Sequence, residues 1–151
     1  MDKDFFVREL TARGDMMYRV AYTLLRNDDD CKDAMQEAAL KAWEKRGSLR
    51  ETRLFATWAT RILINECRNL QRKRRRVVLV EEIPEPAAPP PDPTLALALQ
   101  ALPEKYRLPL VLRFAEGMEY EEIAKVLRLP RGTVAGRIHR GKQQLRKELE
   151  E

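Results

Sequence analysis

Six of the nine prolines in this chain fall between Pro84 and Pro93. Proline has no amide to donate, and it biases the residue before it away from helical geometry. A stretch this rich in it reads as an extended linker. It cuts the 151 residues into an N-terminal unit, residues 1–76, and a C-terminal unit, residues 94–151, joined by residues 77–93. Units this small bury only modest cores, so each is expected to lean on a partner.

Both units read as helical. In residues 54–71, LFATWATRILINECRNLQ, apolar groups at Phe55, Trp58, Ala59, Ile62, Leu63, Cys67 and Leu70 recur at the spacing of one buried helical stripe. Residues 31–46 are strong helix formers, with Ala34, Met35, Ala38, Leu40 and Trp43 placed to pack. Residues 16–26 give another helix, Asn27 to Asp30 a polar break, and residues 4–13 a short leading helix. The pattern lapses at Gly47-Ser48, which predicts a loop between Arg46 and Leu54. With six glycines and 7% aromatics an all-β sandwich is disfavoured, and Val77–Val80 is too short a strand signal to build a sheet. The expected fold is therefore all-α: an N-terminal bundle of three or four helices, a Pro-rich linker, and a C-terminal four-helix unit.

The C-terminal unit carries the most specific pattern. Helices are expected over 95–102, 104–116 and 120–127, with Gly117 as the cap of the second. In Tyr120–Leu127 the apolar Ile123, Ala124 and Leu127 are expected to be buried. After the connector Arg128-Leu129-Pro130-Arg131-Gly132, Thr133 can cap or open a long last helix. Val134, Ile138, Leu145 and Leu149 line its inner face. A short amphipathic helix, a tight turn and a second helix with a basic, small-residue outer face is the helix-turn-helix pattern. Ala135 and Gly136 let that helix approach base edges, Arg140 can pair with guanine, and His139 can donate or accept. Arg131, Thr133, Arg137 and Lys142, with Arg146 and Lys147, fit phosphate contacts, which position without reading sequence.

Charge is distributed unevenly. Residues 68–76 hold six basic and no acidic side chains, and residues 131–147 hold another six with no acid, against a net charge of +5 for the whole chain. Two concentrated positive segments in a nearly neutral background point to two contacts with a polyanion. Between them lie the acids Glu81, Glu82, Glu85 and Asp92. Two cysteines, Cys31 and Cys67, and one histidine supply neither a disulfide framework nor a metal cluster, so no cofactor is expected. The acid runs Asp28–Asp30 and Glu121–Glu122 stand at helix starts, where the helix dipole favours negative charge without any catalytic role. The acidic, mixed N-terminus does not read as a signal peptide, which places the protein in the cytoplasm by expectation.

Three blocks in order resemble an alternative bacterial sigma factor of the extracytoplasmic-function type. CKDAMQEAALKAW is similar to the family's core-polymerase-binding helix, FATWATRILINECRN to its promoter-melting helix, and ALPEKYRLPLVLRFAEGMEYEEIAKVLRLPRGTVAGRIHRGKQQLRKEL to its −35-reading domain. The resemblance implies a non-enzymatic subunit that binds core RNA polymerase (the β′ clamp helices and the β subunit) and promoter DNA, and that an anti-sigma factor restrains. It implies that Asp33, Gln36, Glu37, Leu40 and Trp43 meet the clamp helices. The loop Arg46, Gly47, Ser48, Leu49 and Arg50 would capture a base of the −10 strand. Thr60, Arg61, Asn65, Arg68 and Arg72, with Lys73, Arg74 and Arg75, would follow the opened DNA. Ala135, Gly136, His139 and Arg140 take the base-reading positions, and the linker acids would mimic RNA charge within the polymerase channel. Ala39 stands where the family usually has a large aromatic, and Ala135, Gly136 and His139 depart from its usual recognition residues, so a base preference does not transfer. The competing expectation is a stand-alone helix-turn-helix regulator that binds duplex DNA as a dimer.

Overall fold

The computed structural model describes residues 1–77 and 93–150, every regular element of which is helical. The linker acids Glu81, Glu82, Glu85 and Asp92, and most of the Val77–Val80 signal, lie outside the described residues. The described residues fall into two compact units, one before and one after the division between Glu85 and Pro86.

The N-terminal unit holds α1 (Lys3–Ala12), α2 (Gly14–Leu25), α3 (Asp28–Glu44) and α4 (Phe55–Val77). Asp2 caps α1, its carboxylate accepting from the Phe5 amide at 2.8 Å. Asn27 caps α3 in the same way through the Asp30 amide at 2.9 Å. The break before α3 is thus two residues, Arg26 and Asn27, and of the four expected only Asn27 belongs to it: Asp28, Asp29 and Asp30 form the first helical turn, where their charge complements the dipole. Arg26, in left-handed geometry at φ 54°, reverses the chain between α2 and α3.

Helices α2 and α3 both pack on α4. That is why α4 buries more than one stripe: Thr60, Ile64 and Glu66 are buried along with Phe55, Ala59, Leu63 and Cys67, while Trp58, Ile62 and Leu70 are half-buried. The facing side of α3 is small, Cys31, Ala34, Ala38 and Ala42, and lets the two helices approach closely. Leu40, expected to be available for the core, is 60% exposed instead. Two ion pairs fasten α3 to α4: Lys41 to the buried Glu66, and Arg74 to the buried Asp30.

The C-terminal unit holds α5 (Pro93–Ala101), α6 (Glu104–Leu110), α7 (Tyr120–Leu127) and α8 (Arg131–Glu150). The predicted helix over 104–116 changes pitch part-way. Pro109 lies inside α6, and the chain continues through a wider turn, Val111–Ala115, with the Glu116 amide donating to the Val111 carbonyl at 3.1 Å. Proline removes one amide from the ladder and crowds the preceding turn, and widened turns are one way a helix absorbs this. Gly117, at φ 68°, ends the turn as expected.

Helix α7 opens on a reciprocal cap between Glu119 and Glu122. Its buried positions are Ile123 and Val126; Ala124 and Leu127 are only half-buried. Helix α8 begins at Arg131, so Thr133 is a helical residue and not a cap. Its inner face is Val134, Ile138 and Gly141, with Leu145 half-buried and Leu149 46% exposed. The inner face therefore runs out one turn earlier than the leucine spacing predicted.

Candidate nucleic-acid interface

In α8 the outer face follows from the inner one. Val134, Ile138 and Gly141 are held against α6 and α7, which turns Gly136, His139 and Arg140 outward on the opposite side. His139 and Arg140 are exposed; Ala135 and Gly136 are partly exposed. A Cβ built at Gly136 meets nothing within 4 Å, so no packing requirement inside the unit accounts for glycine there. At Gly141 a Cβ lies 3.0 Å from Leu110 Cδ1 and 3.3 Å from Tyr106 Cβ, so this glycine is needed for α6 to seat on α8.

The four phosphate candidates divide by helical spacing, Arg131 and Lys142 along one edge of the outer face and Thr133 and Arg137 along the other. The first edge is already engaged. Arg131 Nε donates to Glu121 Oε1 at 2.7 Å, and its guanidinium lies 5.5 Å from the Tyr120 ring. Glu121's own backbone amide and then Arg131 hold that carboxylate below its ordinary range. The ammonium of Lys142 stands 4.7 Å from the Phe114 ring centroid. Phe114, 58% exposed, borders an apolar groove of about 530 Å³ formed with Leu95, Leu99, Leu110, Val111 and Leu145. No single stretch of sequence signals this surface, because its apolar residues come from three helices and the turn after α6.

In the N-terminal unit α3 and α4 carry the predicted residues on faces turned away from their mutual contact. Asp33, Gln36, Glu37 and Leu40 are all exposed and share one face of α3. Trp43 is half-buried, edge-on to Phe6 at 5.2 Å between centroids, so it belongs largely to the core. On α4, Arg61, Asn65, Arg68 and Arg72 fall at spacings of four, three and four and form one outer row. Asn65 and Arg72 are exposed and Arg61 and Arg68 half-buried; Arg72 bonds to Asn69. Thr60 does not join them. It is 0% exposed, and its hydroxyl donates to the Ala56 carbonyl at 2.7 Å. This corrects its assignment to the DNA surface: a threonine in mid-helix satisfies its hydroxyl on the preceding turn. Arg74 is likewise committed, to Asp30, whose carboxyl burial pushes above its usual range even against that positive neighbour.

The loop between α3 and α4 is two short 3₁₀ turns, Arg46–Ser48 and Thr52–Leu54. Gly47, Ser48 and Arg50 are exposed, and Arg46 and Leu49 are half-buried. Cys31 and Cys67 are both 0% exposed, and burial pushes their thiols up to about 11 and about 12. Among the described residues no group of His, Cys, Asp or Glu could hold a metal, and no helix is long and apolar enough to cross a membrane.

Comparison with known proteins agrees with the residue-level resemblance in both units. Residues 10–77 match the family model described as Sigma-70 region 2, and residues 94–145 match Sigma-70, region 4. The ECF RNA polymerase sigma factor SigW of Bacillus subtilis is 30% identical over an alignment covering 98% of this chain and 90% of that protein. The ECF sigma factor SigE of Mycolicibacterium smegmatis is 35% identical, over 87% of this chain and 56% of that protein. Among solved structures, the sigma factor RpoE of Bartonella quintana, in complex with the anti-sigma factor NepR, matches with a TM-score of 0.84 at 27% identity, covering 99% of this chain and 98% of that one. A stand-alone regulator would leave the N-terminal match to region 2 without an explanation. The chain belongs to the extracytoplasmic-function sigma factors, the subunits that direct RNA polymerase to begin transcription at particular promoters.

Proposed function

We propose that this chain acts in the cytoplasm as a promoter-specificity subunit that performs no covalent chemistry. Residues 94–151 read the −35 element. Helix α8 enters the major groove with Gly136, His139 and Arg140 toward the base edges and Ala135 beside them, while Thr133 and Arg137 on one edge and Arg131 and Lys142 on the other reach phosphates. Residues 1–76 open and hold the −10 element. The loop Arg46–Leu54 receives an unstacked base, and the row Arg61, Asn65, Arg68 and Arg72 follows the separated strand, so that binding energy offsets unpairing. The exposed face Asp33, Gln36, Glu37 and Leu40 docks on the β′ clamp helices of core polymerase, and the chain also contacts the β subunit. An anti-sigma factor, as NepR is for the Bartonella protein, restrains the free chain. The observation that carries this reading is the division of α8 into a buried face of Val134, Ile138 and Gly141 and an outer face with His139 and Arg140 exposed.

The test is run-off transcription by bacterial core polymerase on genomic fragments of the source organism, with and without the full chain. Discrete transcripts that need both components are the expected result. Tight duplex binding by the protein alone, with no stimulation and no co-elution with core, would replace this reading with that of a dimeric regulator.

A further inference from the structure

The loop Arg46–Leu54 is exposed except at Arg46 and Leu49, and it is fastened at three points to groups that belong to the helices on either side. Arg46 lies over the Trp43 ring, its guanidinium carbon 3.9 Å from the ring centroid, and Nη1 donates to the Trp43 carbonyl at 2.8 Å. Ser48 Oγ accepts from Trp58 Nε1 at 3.1 Å and donates to the Lys45 carbonyl at 2.7 Å. Leu49 packs on the cluster of Phe6, Ala42, Phe55 and Ala59. Trp58 in turn is held by Phe55, at 5.6 Å between ring centroids.

A serine hydroxyl has one proton to give, and here the Lys45 carbonyl takes it. Ser48 cannot at the same time donate to a nucleobase, although it was among the residues expected to touch DNA. An indole N–H only donates, and water could satisfy it at this exposed position. The bond to Ser48 therefore adds little to folding; what it does is fix where the loop leaves α3 relative to α4. From Arg50 onward the side chains up to Leu54 are exposed and carry no such tether to the helices. An effective captor must hold its contact groups in place before the base arrives, because ordering them on binding subtracts from affinity and from discrimination.

We propose that Ser48 and Trp58, supported by the Arg46–Trp43 stack, are positioning residues that set the discrimination of the −10 base, and that the residues meeting DNA are those beyond the tether, beginning at Arg50. This rests on the reading of the loop as the −10 base receptor. It assigns Arg46 and Ser48 to the frame of that receptor and not to its contact surface.

The test uses holoenzyme assembled from core polymerase and the full chain, on a promoter recovered by run-off transcription and on its single-base −10 variants. Ser48→Ala, which removes the bond and keeps the fold's packing, and Trp58→Phe, which removes it while keeping an aromatic ring on the core, should each flatten the preference for the native −10 base by about fivefold, the worth of one hydrogen bond. Ser48→Thr, which keeps a hydroxyl, should restore it, and affinity for core should not change. Arg50→Ala should lower promoter opening on every −10 variant. The proposal is overturned if both variants keep the wild-type preference, or if they lower transcription equally on all −10 sequences, as a merely structural role would. A wild-type holoenzyme indifferent to the −10 base would instead refute the reading of the loop itself.

Discussion

Gly136→Ala separates what helix α8 needs in order to fold from what it needs in order to bind. A glycine inside a helix costs ~0.5–1 kcal/mol relative to alanine, because its unfolded chain has more freedom to lose. A methyl at 136 meets nothing within 4 Å, so the full gain should be realised. For a unit of this size ~1 kcal/mol moves the midpoint by roughly 4–8 °C, so the C-terminal transition of the full chain should rise by about 2–8 °C. The same methyl stands on the proposed base-reading face. An overpacked contact costs ~1–3 kcal/mol, which is about five- to 150-fold in affinity. Thermal unfolding by circular dichroism and holoenzyme binding to promoters with intact and scrambled −35 elements measure the two effects. Gly141→Ala is the control. It offers the same backbone gain but sets a methyl 3.0 Å from Leu110 Cδ1 and 3.3 Å from Tyr106 Cβ, so the midpoint should stay level or fall. A Gly136→Ala protein that is more stable and keeps its −35 preference would refute the argument that glycine is there for close approach.

Leu40, 60% exposed, and Leu63, 0% exposed, should respond in opposite ways to truncation. Leu40→Ala should shift stability by less than ~0.5 kcal/mol while lowering affinity for core polymerase at least about fivefold; Leu63→Ala should cost ~2–5 kcal/mol in urea unfolding. Cys31 and Cys67, with thiols pushed to about 11 and about 12, should resist a disulfide reagent at pH 8 until denaturant exposes them; prompt modification of the native chain would contradict their burial. The Tyr18 hydroxyl donates to Asp28 Oδ1 at 2.6 Å and, with Lys32, holds that carboxyl below its ordinary value. A carboxyl whose folded value is depressed adds stability above its unfolded value of about 4 and loses it as pH falls through the folded one. Tyr18→Phe should therefore lower the urea midpoint at pH 7, with the difference from wild type shrinking toward pH 3.

The helices were legible because their periodicity is a local property. α7 falls on the predicted residues, Tyr120–Leu127. What could not be read depends on neighbours distant in sequence. Thr60 and Ile64 are buried because α4 is covered by both α2 and α3, which turns a helix with one predicted stripe into one with a wider buried face. Leu40 is exposed because the small residues of α3, not its leucine, face α4. The widened turn after Leu110 had a local signal in Pro109, whose effect on the hydrogen-bond ladder a simple helical reading passes over.

The same distinction governs the charges. Basic runs at 68–76 and 131–147 read as two polyanion contacts, and counting residues treats every cation in them alike. Packing does not. Arg74 neutralises the buried Asp30, and Arg131 is bound to Glu121. Lys142 stands against Phe114 at the rim of an apolar groove. An arginine already paired with a carboxylate gains less from a phosphate than one facing water, since the first ion pair must loosen before the second forms. Salt dependence resolves the two kinds, because each phosphate neutralised adds about 0.9 to the slope of log affinity against log salt. Replacing Arg137 by alanine should lower that slope for promoter binding by about 0.9, and replacing Arg72, on the separated strand, by about 0.7. Replacing Arg74 should leave it nearly unchanged while weakening the seat of α3 on α4. Equal slopes lost at Arg72 and Arg74 would mean that the Asp30 pair opens on DNA, and that the basic run acts as a whole after all.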